Sequence, residues 1–206
     1  MNWQRLLHLL GRRLRQVVGI YAFVFIPMWG MFFINKTLLF GLWNIFGIVP
    51  RTVDLRSLVG IFASWTMHAD LTHLMGNSFL LLQILFLFRL FERYAYRTIL
   101  TLIVASGLMT WLLGSPLSIH IGASGLCFAM IGFMIGGALF ARRWGYLLAC
   151  LVMGAGYWLV IKEGLMPQSG ISFAAHFGGL FAGLLIGATS KPSLTLTYKS
   201  QQKLLK

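Results

Sequence analysis

Long apolar runs broken by short polar interruptions dominate the chain. A helix needs about 20 apolar residues to cross a hydrocarbon core. At that length the runs predict six spanning helices, at roughly 17–35, 72–91, 98–114, 123–141, 145–162 and 172–189. The ~10-residue alternating segments of a transmembrane barrel are missing. The predicted fold class is an all-α membrane protein with one membrane domain over 17–190, a basic segment at 1–16 and a basic tail at 191–206. The first run is too long, and too poor in a small-residue cleavage site, for a removable signal peptide, so it reads as a signal anchor.

Composition sharpens this picture. Of 206 residues, 58% are hydrophobic and only 10% charged, where a soluble domain carries about 25% charged residues. Six spans of about 20 residues leave roughly 86 for loops and ends, too few for a separate soluble domain. The net charge of +13 raises the question of nucleic acid, but the distribution of charge answers it. With the N-terminus in the cytoplasm and six crossings, the inner side holds Arg5, Arg12, Arg13, Arg15, Arg89, Arg93, Arg97, Arg142, Arg143, Lys191, Lys199, Lys203 and Lys206. The outer side holds Lys36, Arg51, Arg56 and Lys162. The positive-inside rule accounts for that split without a nucleic-acid partner, and inner-leaflet anionic lipid adds to it. Both termini are expected inside. Cys127 and Cys150 fall at different depths, too far apart to bridge, and read as inert buried thiols.

The polar residues inside the spans carry the functional signal. The second, fourth and sixth spans all run from outside to inside, and each opens on its most polar positions. These are Asp70, Thr72, His73 and Asn77 on the second, Ser124 on the fourth, and Ser172 and His176 on the sixth. Three segments thus place Asn, His and Ser one or two helical turns below the same surface. Each residue has a bland explanation when taken alone. Ser124 belongs to a small-residue stripe with Gly125, Ala129, Gly132 and Gly136. His176 can simply hydrogen-bond a neighbouring helix, and His73 lies three residues past a candidate N-cap, Asp70. Gly179, Gly183 and Gly187 read as a close-packing face. The agreement in depth is what these explanations leave over.

The chemistry fits a serine hydrolase. A serine hydroxyl is a poor nucleophile until a base takes its proton, and a neutral histidine serves. Packing the fourth span's small stripe on the sixth span's glycines brings Ser124 to His176. The four acids, Asp54, Asp70, Glu92 and Glu163, fall in loops, at helix starts or on the inner side. A Ser–His dyad is therefore expected rather than a triad. His73 and Asn77, at i and i+4, share a helix face and with the Ser124 amide form a candidate oxyanion site. A zinc protease needs His-Glu-x-x-His. His68 and His73 are five apart, about 140° round a helix, with no glutamate between, so neither metal nor cofactor is expected. Two intramembrane aspartates are lacking, and Cys127 has no polar neighbour to activate it. A channel or transporter predicts internal repeats or paired broken helices, which the chain does not show.

These residues resemble the rhomboid family of intramembrane serine proteases over nearly the whole chain. The resemblance rests on His68, His73-Leu-Met-Gly-Asn77, Gly122-Ala123-Ser124-Gly125, and Ala175-His176-Phe-Gly-Gly179-Leu-Phe-Ala-Gly183. It implies a six-helix rhomboid bundle whose active site opens to the outside through a water-filled cavity. It also implies Ser124 as nucleophile, His176 as general base, and His73, Asn77 and the Ser124 amide as oxyanion donors. Gly122, Gly125, Phe128 and His68 are supporting residues. Substrates are expected to be transmembrane proteins reached through lateral movement near the second and fifth spans, with Trp158 among the gating aromatics. A monomer in a bacterial inner membrane is the expected setting. The chain departs from the family twice. Phe128 stands where many members have a tyrosine stacked on the histidine, and no Trp-Arg pair occurs between Leu38 and His68. Phe46-Gly-Ile-Val-Pro50-Arg51 and Gly60-Ile61 are found there, a pattern that resembles a subset of short bacterial rhomboids. The apolar stretch 38–49 is expected to lie in the outer leaflet. The alternative function is a catalytically silent, client-binding relative.

Overall fold

The computed structural model describes residues 3–167 and 170–190. The basic tail read over 191–206 lies outside them, as do residues 1–2 and the side chains of Arg5, Arg12 and Arg13. Among the described residues there are seven α-helices and no strand: α1 (Trp3–Thr37), α2 (Leu55–Ala63), α3 (Leu71–Phe91), α4 (Ala95–Leu113), α5 (Ser124–Leu139), α6 (Trp144–Gly164) and α7 (Phe173–Thr189). Leu14–Thr37 of α1, together with α3, α4 and α6, are long and apolar enough to cross a membrane. At about 1.5 Å per residue, the 16 residues of α5 and 17 of α7 reach only about 24–26 Å, short of a ~30 Å hydrocarbon core.

Burial follows helical spacing. Ile20, Val24, Met28 and Phe32 form one buried stripe on α1, which faces α3 and is tied to it by Trp29 Nε1 donating to Ser78 Oγ at 3.0 Å. On α3 the inner stripe runs through Leu74, Asn77, Leu81, Ile84 and Phe88. Helix α5 is buried almost all round, as expected for a central helix. Helix α7 lies along it as its most extensive partner. The close approach has a sequence cause, the small residues of both helices. A Cβ on Gly179, Gly183 or Gly187 would collide with the backbone of Gly125, Ala129 or Phe133. Reciprocally, a Cβ on Gly132 or Gly136 would strike the backbone of Leu180 or Leu184. Backbone lies directly on backbone along the whole seam.

The segment between α1 and α3 holds more structure than the apolar pattern announces. Helix α2, capped by Asp54 accepting from Ser57 N at 2.7 Å, was not expected from hydropathy. It is too short to span and leaves Leu55, Leu58 and Phe62 exposed. The two unusual sequence elements of this segment turn out to be halves of one contact. A Cβ on Gly60 would lie 2.7 Å from Gly47 C and Ile48 N, so the glycine pair lets α2 rest on the 46–48 backbone. In place of a Trp-Arg pair, Asn35 holds the loop by accepting from Trp43 N (2.9 Å) and donating to Asn44 Oδ1 (3.1 Å). Asn44 in turn donates to the His68 carbonyl at 3.2 Å. Leu38, Phe40 and Leu42 remain exposed.

At the opposite ends of α3, α5 and α7, Glu92 is buried with Arg143 at 2.8 Å and Tyr146 Oη at 2.7 Å. Arg143 also donates to Phe91 O and Ser190 Oγ, joining three helix ends. From the sequence both residues read as inner-side charges, and the structure buries them as a pair. Helix α6 runs to Gly164 and takes in Glu163 in its last turn, two residues beyond the expected end. Both cysteines are free.

Candidate active site

The polar helix starts do meet. Asp70 caps α3 by accepting from His73 N at 2.8 Å, which starts the helix just where His73 and Asn77 share its inner face. Ahead of Ser124, Gly122 adopts φ +113°, a region that favours glycine. A Cβ there would also lie 2.7 Å from His73 Cε1 and Nε2 and 3.5 Å from Asn77 Nδ2. The bare glycine is what allows both side chains to reach the serine loop. Gly125 faces Ala175 of α7, with its would-be Cβ 3.5 Å from the Ala175 carbonyl.

His176 sits on the first turn of α7, capped by Ser172, and is buried. Its imidazole stacks on Phe128 at a centroid separation of 4.4 Å and 17°. Phe128 lies one turn along α5 from Ser124, so the stack sets the imidazole against the serine's face of that helix. The tyrosine-to-phenylalanine departure thus keeps the ring contact and loses only the hydroxyl. His176 Nδ1 is 2.6 Å from the Gly164 carbonyl. A carbonyl only accepts, so Nδ1 carries the proton and Nε2 of the neutral ring keeps its lone pair. Ser124 is half-buried, and neither its hydroxyl nor His176 Nε2 takes a hydrogen bond from a described residue. Such contacts often tighten only when substrate is bound.

The start of α5 differs from the starts of α2, α3 and α7. Those are capped by Asp54, Asp70 and Ser172, whereas Ala123 supplies no side-chain cap to α5. The amides of Ser124 and Gly125 are therefore left without an intrahelical acceptor, at the positive end of the helix dipole. Beside them, Asn77 Nδ2 lies 3.0 Å from His68 Nε2, and the rings of His68 and His73 meet edge-on at 5.0 Å. His68, in the loop before α3, is buried with its Nδ1 unpartnered. Burial, with the neighbouring His73 second, pushes its pKa down to about 4, and the nearby Thr66 carbonyl opposes this only in part. The neutral ring is thus a fixed acceptor that orients Asn77. A small cleft, lined by Ser64, Ser106, Thr110, His120 and Gly122 among others, opens behind the serine loop on the α2 and α4 side.

The candidate catalytic, oxyanion and supporting residues, Ser124, His176, His73, Asn77, Gly122, Gly125, Phe128 and His68, fall in this one region. Two groups beside the site were not singled out in the sequence. The Gly164 carbonyl is a backbone group with no side-chain signature. His120 was legible, as a polar residue four positions before the serine, but it lies outside any span. Trp158, on α6, is exposed, and next to it Tyr157 meets Phe79 of α3 at 5.9 Å.

A family model described as the Rhomboid domain matches residues 55–193, from α2 through α7. An uncharacterized protein of Mycobacterium tuberculosis and one of Mycobacterium bovis are each 33% identical over 151 residues, covering 68% of this chain and 61% of theirs. An uncharacterized protein of Mycobacterium leprae is 32% identical over 144 residues, covering 66% of this chain and 57% of its own. The chain thus spans about 61% of the length of the first two relatives.

Proposed function

Since this chain belongs to the rhomboid family, a family of multi-pass membrane proteins, we propose that it is an intramembrane serine endopeptidase. The observation that carries the reading is the setting of His176. Stacking on Phe128 holds it beside the serine's helix face, and its Nδ1–H is committed to Gly164 O, so Nε2 is available as a base. The Gly164 carbonyl does for the imidazole what a carboxylate does in a triad, orienting it and selecting the tautomer.

In the proposed reaction Ser124 Oγ attacks the scissile carbonyl carbon as His176 Nε2 takes the hydroxyl proton. The oxyanion is received by the Ser124 amide, on the uncapped end of α5, and by His73 and Asn77. Collapse breaks the C–N bond, and the departing amine takes the proton from His176. Water, deprotonated by the same imidazole, then releases the acyl group and restores the serine. No metal or cofactor enters this scheme.

The substrate is a transmembrane segment of another protein. Its scissile carbonyl is engaged in its own helix, so residues that weaken helices favour cleavage. The distribution of basic residues supports six crossings with both termini cytoplasmic, which puts the starts of α3, α5 and α7 on the outer side of a bacterial inner membrane. The short α5 and α7 support a site recessed below that surface. The test is cleavage of a model transmembrane substrate by purified wild type and Ser124→Ala. Product from wild type alone is expected. Equal product from both ends the assignment, and substrate binding without any cleavage by wild type favours the client-binding alternative.

A further inference from the structure

Four residues before Ser124 and four before His176 stand two side chains that touch. His120 Nδ1 lies 2.6 Å from Ser172 Oγ. On its other side, His120 Nε2 is 2.8 Å from Ser118 Oγ, which gives its own proton to the Ser115 carbonyl at 2.7 Å. Ser118 can therefore only accept from the ring, so Nε2 carries the hydrogen. Nδ1 then accepts from the Ser172 hydroxyl, while Ser172 Oγ accepts the Ala175 amide at 3.1 Å as the cap of α7. Each of these polar groups is satisfied, and the satisfaction requires one tautomer.

The seat of the ring is equally specific. A Cβ on Gly114 would fall 2.7 Å from His120 Nε2. The backbone of His120 pairs in both directions with Ile48, at 2.9 and 3.0 Å, which anchors the serine loop to the loop after α1. One residue thus joins the first outer loop, the approach to the serine and the cap of the histidine's helix.

We propose that His120 is a positioning residue, whose bond to Ser172 sets the height of His176 relative to Ser124. The inference rests on the protease reading above. Backbone-to-backbone packing of α5 on α7 fixes their separation, and the bond between His120 and Ser172 adds a tie across the starts of the two helices. The start of α5 has no cap of its own to hold it. One residue of helix rise is about 1.5 Å, and a 1 Å misplacement of reacting groups costs about 100-fold in rate. A bridge four residues upstream of both groups supplies an axial stop.

Asparagine places an amide near the position of Nδ1, glutamine near that of Nε2, so the two substitutions separate the Ser172 bond from the Ser118 bond. The full chain is purified in mild detergent as wild type, His120→Asn, His120→Gln, Ser118→Ala and Ser172→Gly, glycine being a tolerable N-cap. For each, the rate of Ser124 labelling by a fluorophosphonate, kcat and KM on a transmembrane substrate, and the unfolding midpoint are measured. His120→Gln and Ser172→Gly are expected to lose about 10- to 100-fold in labelling rate and kcat with KM nearly unchanged. His120→Asn and Ser118→Ala are expected to stay within about threefold. Equal losses in His120→Asn and His120→Gln, or losses that merely track the unfolding midpoint, overturn the inference. Full activity in Ser172→Gly overturns it even where His120→Gln does not fold. A wild type that resists labelling and cleaves nothing sinks the protease reading itself, a different and distinguishable failure.

Discussion

Adding one methyl group to the middle of α7 is expected to damage both stability and activity, whereas the same methyl on α6 is expected to help. At Gly183 a Cβ would lie 2.7 Å from the Ala129 carbonyl carbon and 2.8 Å from Phe133 N, and closer still to the Ala129 oxygen. Ordinary contact begins at 3.4 Å, so the two helices must part by at least about 0.7 Å, and what gives way is backbone. Overpacking of this kind costs about 1–3 kcal/mol. It is offset by about 1 kcal/mol of helix propensity gained on replacing glycine. Gly156, exposed in the interior of α6, has nothing within 4 Å of its would-be Cβ, so alanine there keeps the propensity gain alone. Equilibrium unfolding in mixed detergent micelles of Gly183→Ala and Gly156→Ala should therefore separate the two, with Gly156→Ala the more stable by about 1–3 kcal/mol. Because His176 lies two turns above Gly183, parting the helices should also lower kcat by up to about 100-fold. If Gly183→Ala unfolds with or after Gly156→Ala and retains full kcat, the account of the α5–α7 seam is wrong.

Two further perturbations probe the ends of the bundle. Glu92→Gln leaves Arg143 buried without its counter-charge and should cost about 3–5 kcal/mol, while Arg142→Gln, exposed next door, should stay within about 0.5 kcal/mol; unfolding of the two variants side by side decides, and similar midpoints refute the buried pair. Burial holds the His68 imidazole down to about 4 in the folded protein, below the ~6.5 of a free imidazole, so below pH 6.5 the unfolded chain binds the extra proton. Stability is therefore complete above pH 6.5 and falls as pH drops toward 4, by about 3 kcal/mol from this residue. His68→Gln, which still accepts from Asn77, should flatten that decline, and an unfolding profile parallel to wild type from pH 7.5 to 4.5 would contradict it.

Much of this was legible in the chain because a bilayer leaves so few options. Apolar runs of spanning length become helices when backbone groups have no water to bond, and six of the seven helices fall where hydropathy put them. Polar residues such as Asn77 and His176 stand out against that background, and so do the stripes of Gly179, Gly183 and Gly187. Helix α2 did not stand out. It is nine residues long, and its reason for existing is the meeting of Gly47 with Gly60, a contact between segments that no local pattern encodes. Glu92 and Arg143 read as ordinary inner-side charges, since burial of an ion pair depends on three helix ends converging. The Gly164 carbonyl, which orients His176, had no side chain to announce it. The sequence shows chemistry carried by side chains in periodic elements, and it hides chemistry carried by backbone and by loops folded over one another.

The most direct measurement takes the convergence of the two residues as its object. Wild type and His176→Ala, both purified folded, are exposed to a fluorophosphonate and the adduct is located by peptide mass spectrometry. The account predicts a single adduct on Ser124 in wild type and its loss in His176→Ala, because only Nε2 of that imidazole activates the hydroxyl. An adduct on another residue, or labelling of Ser124 that proceeds equally well without the imidazole, would contradict it.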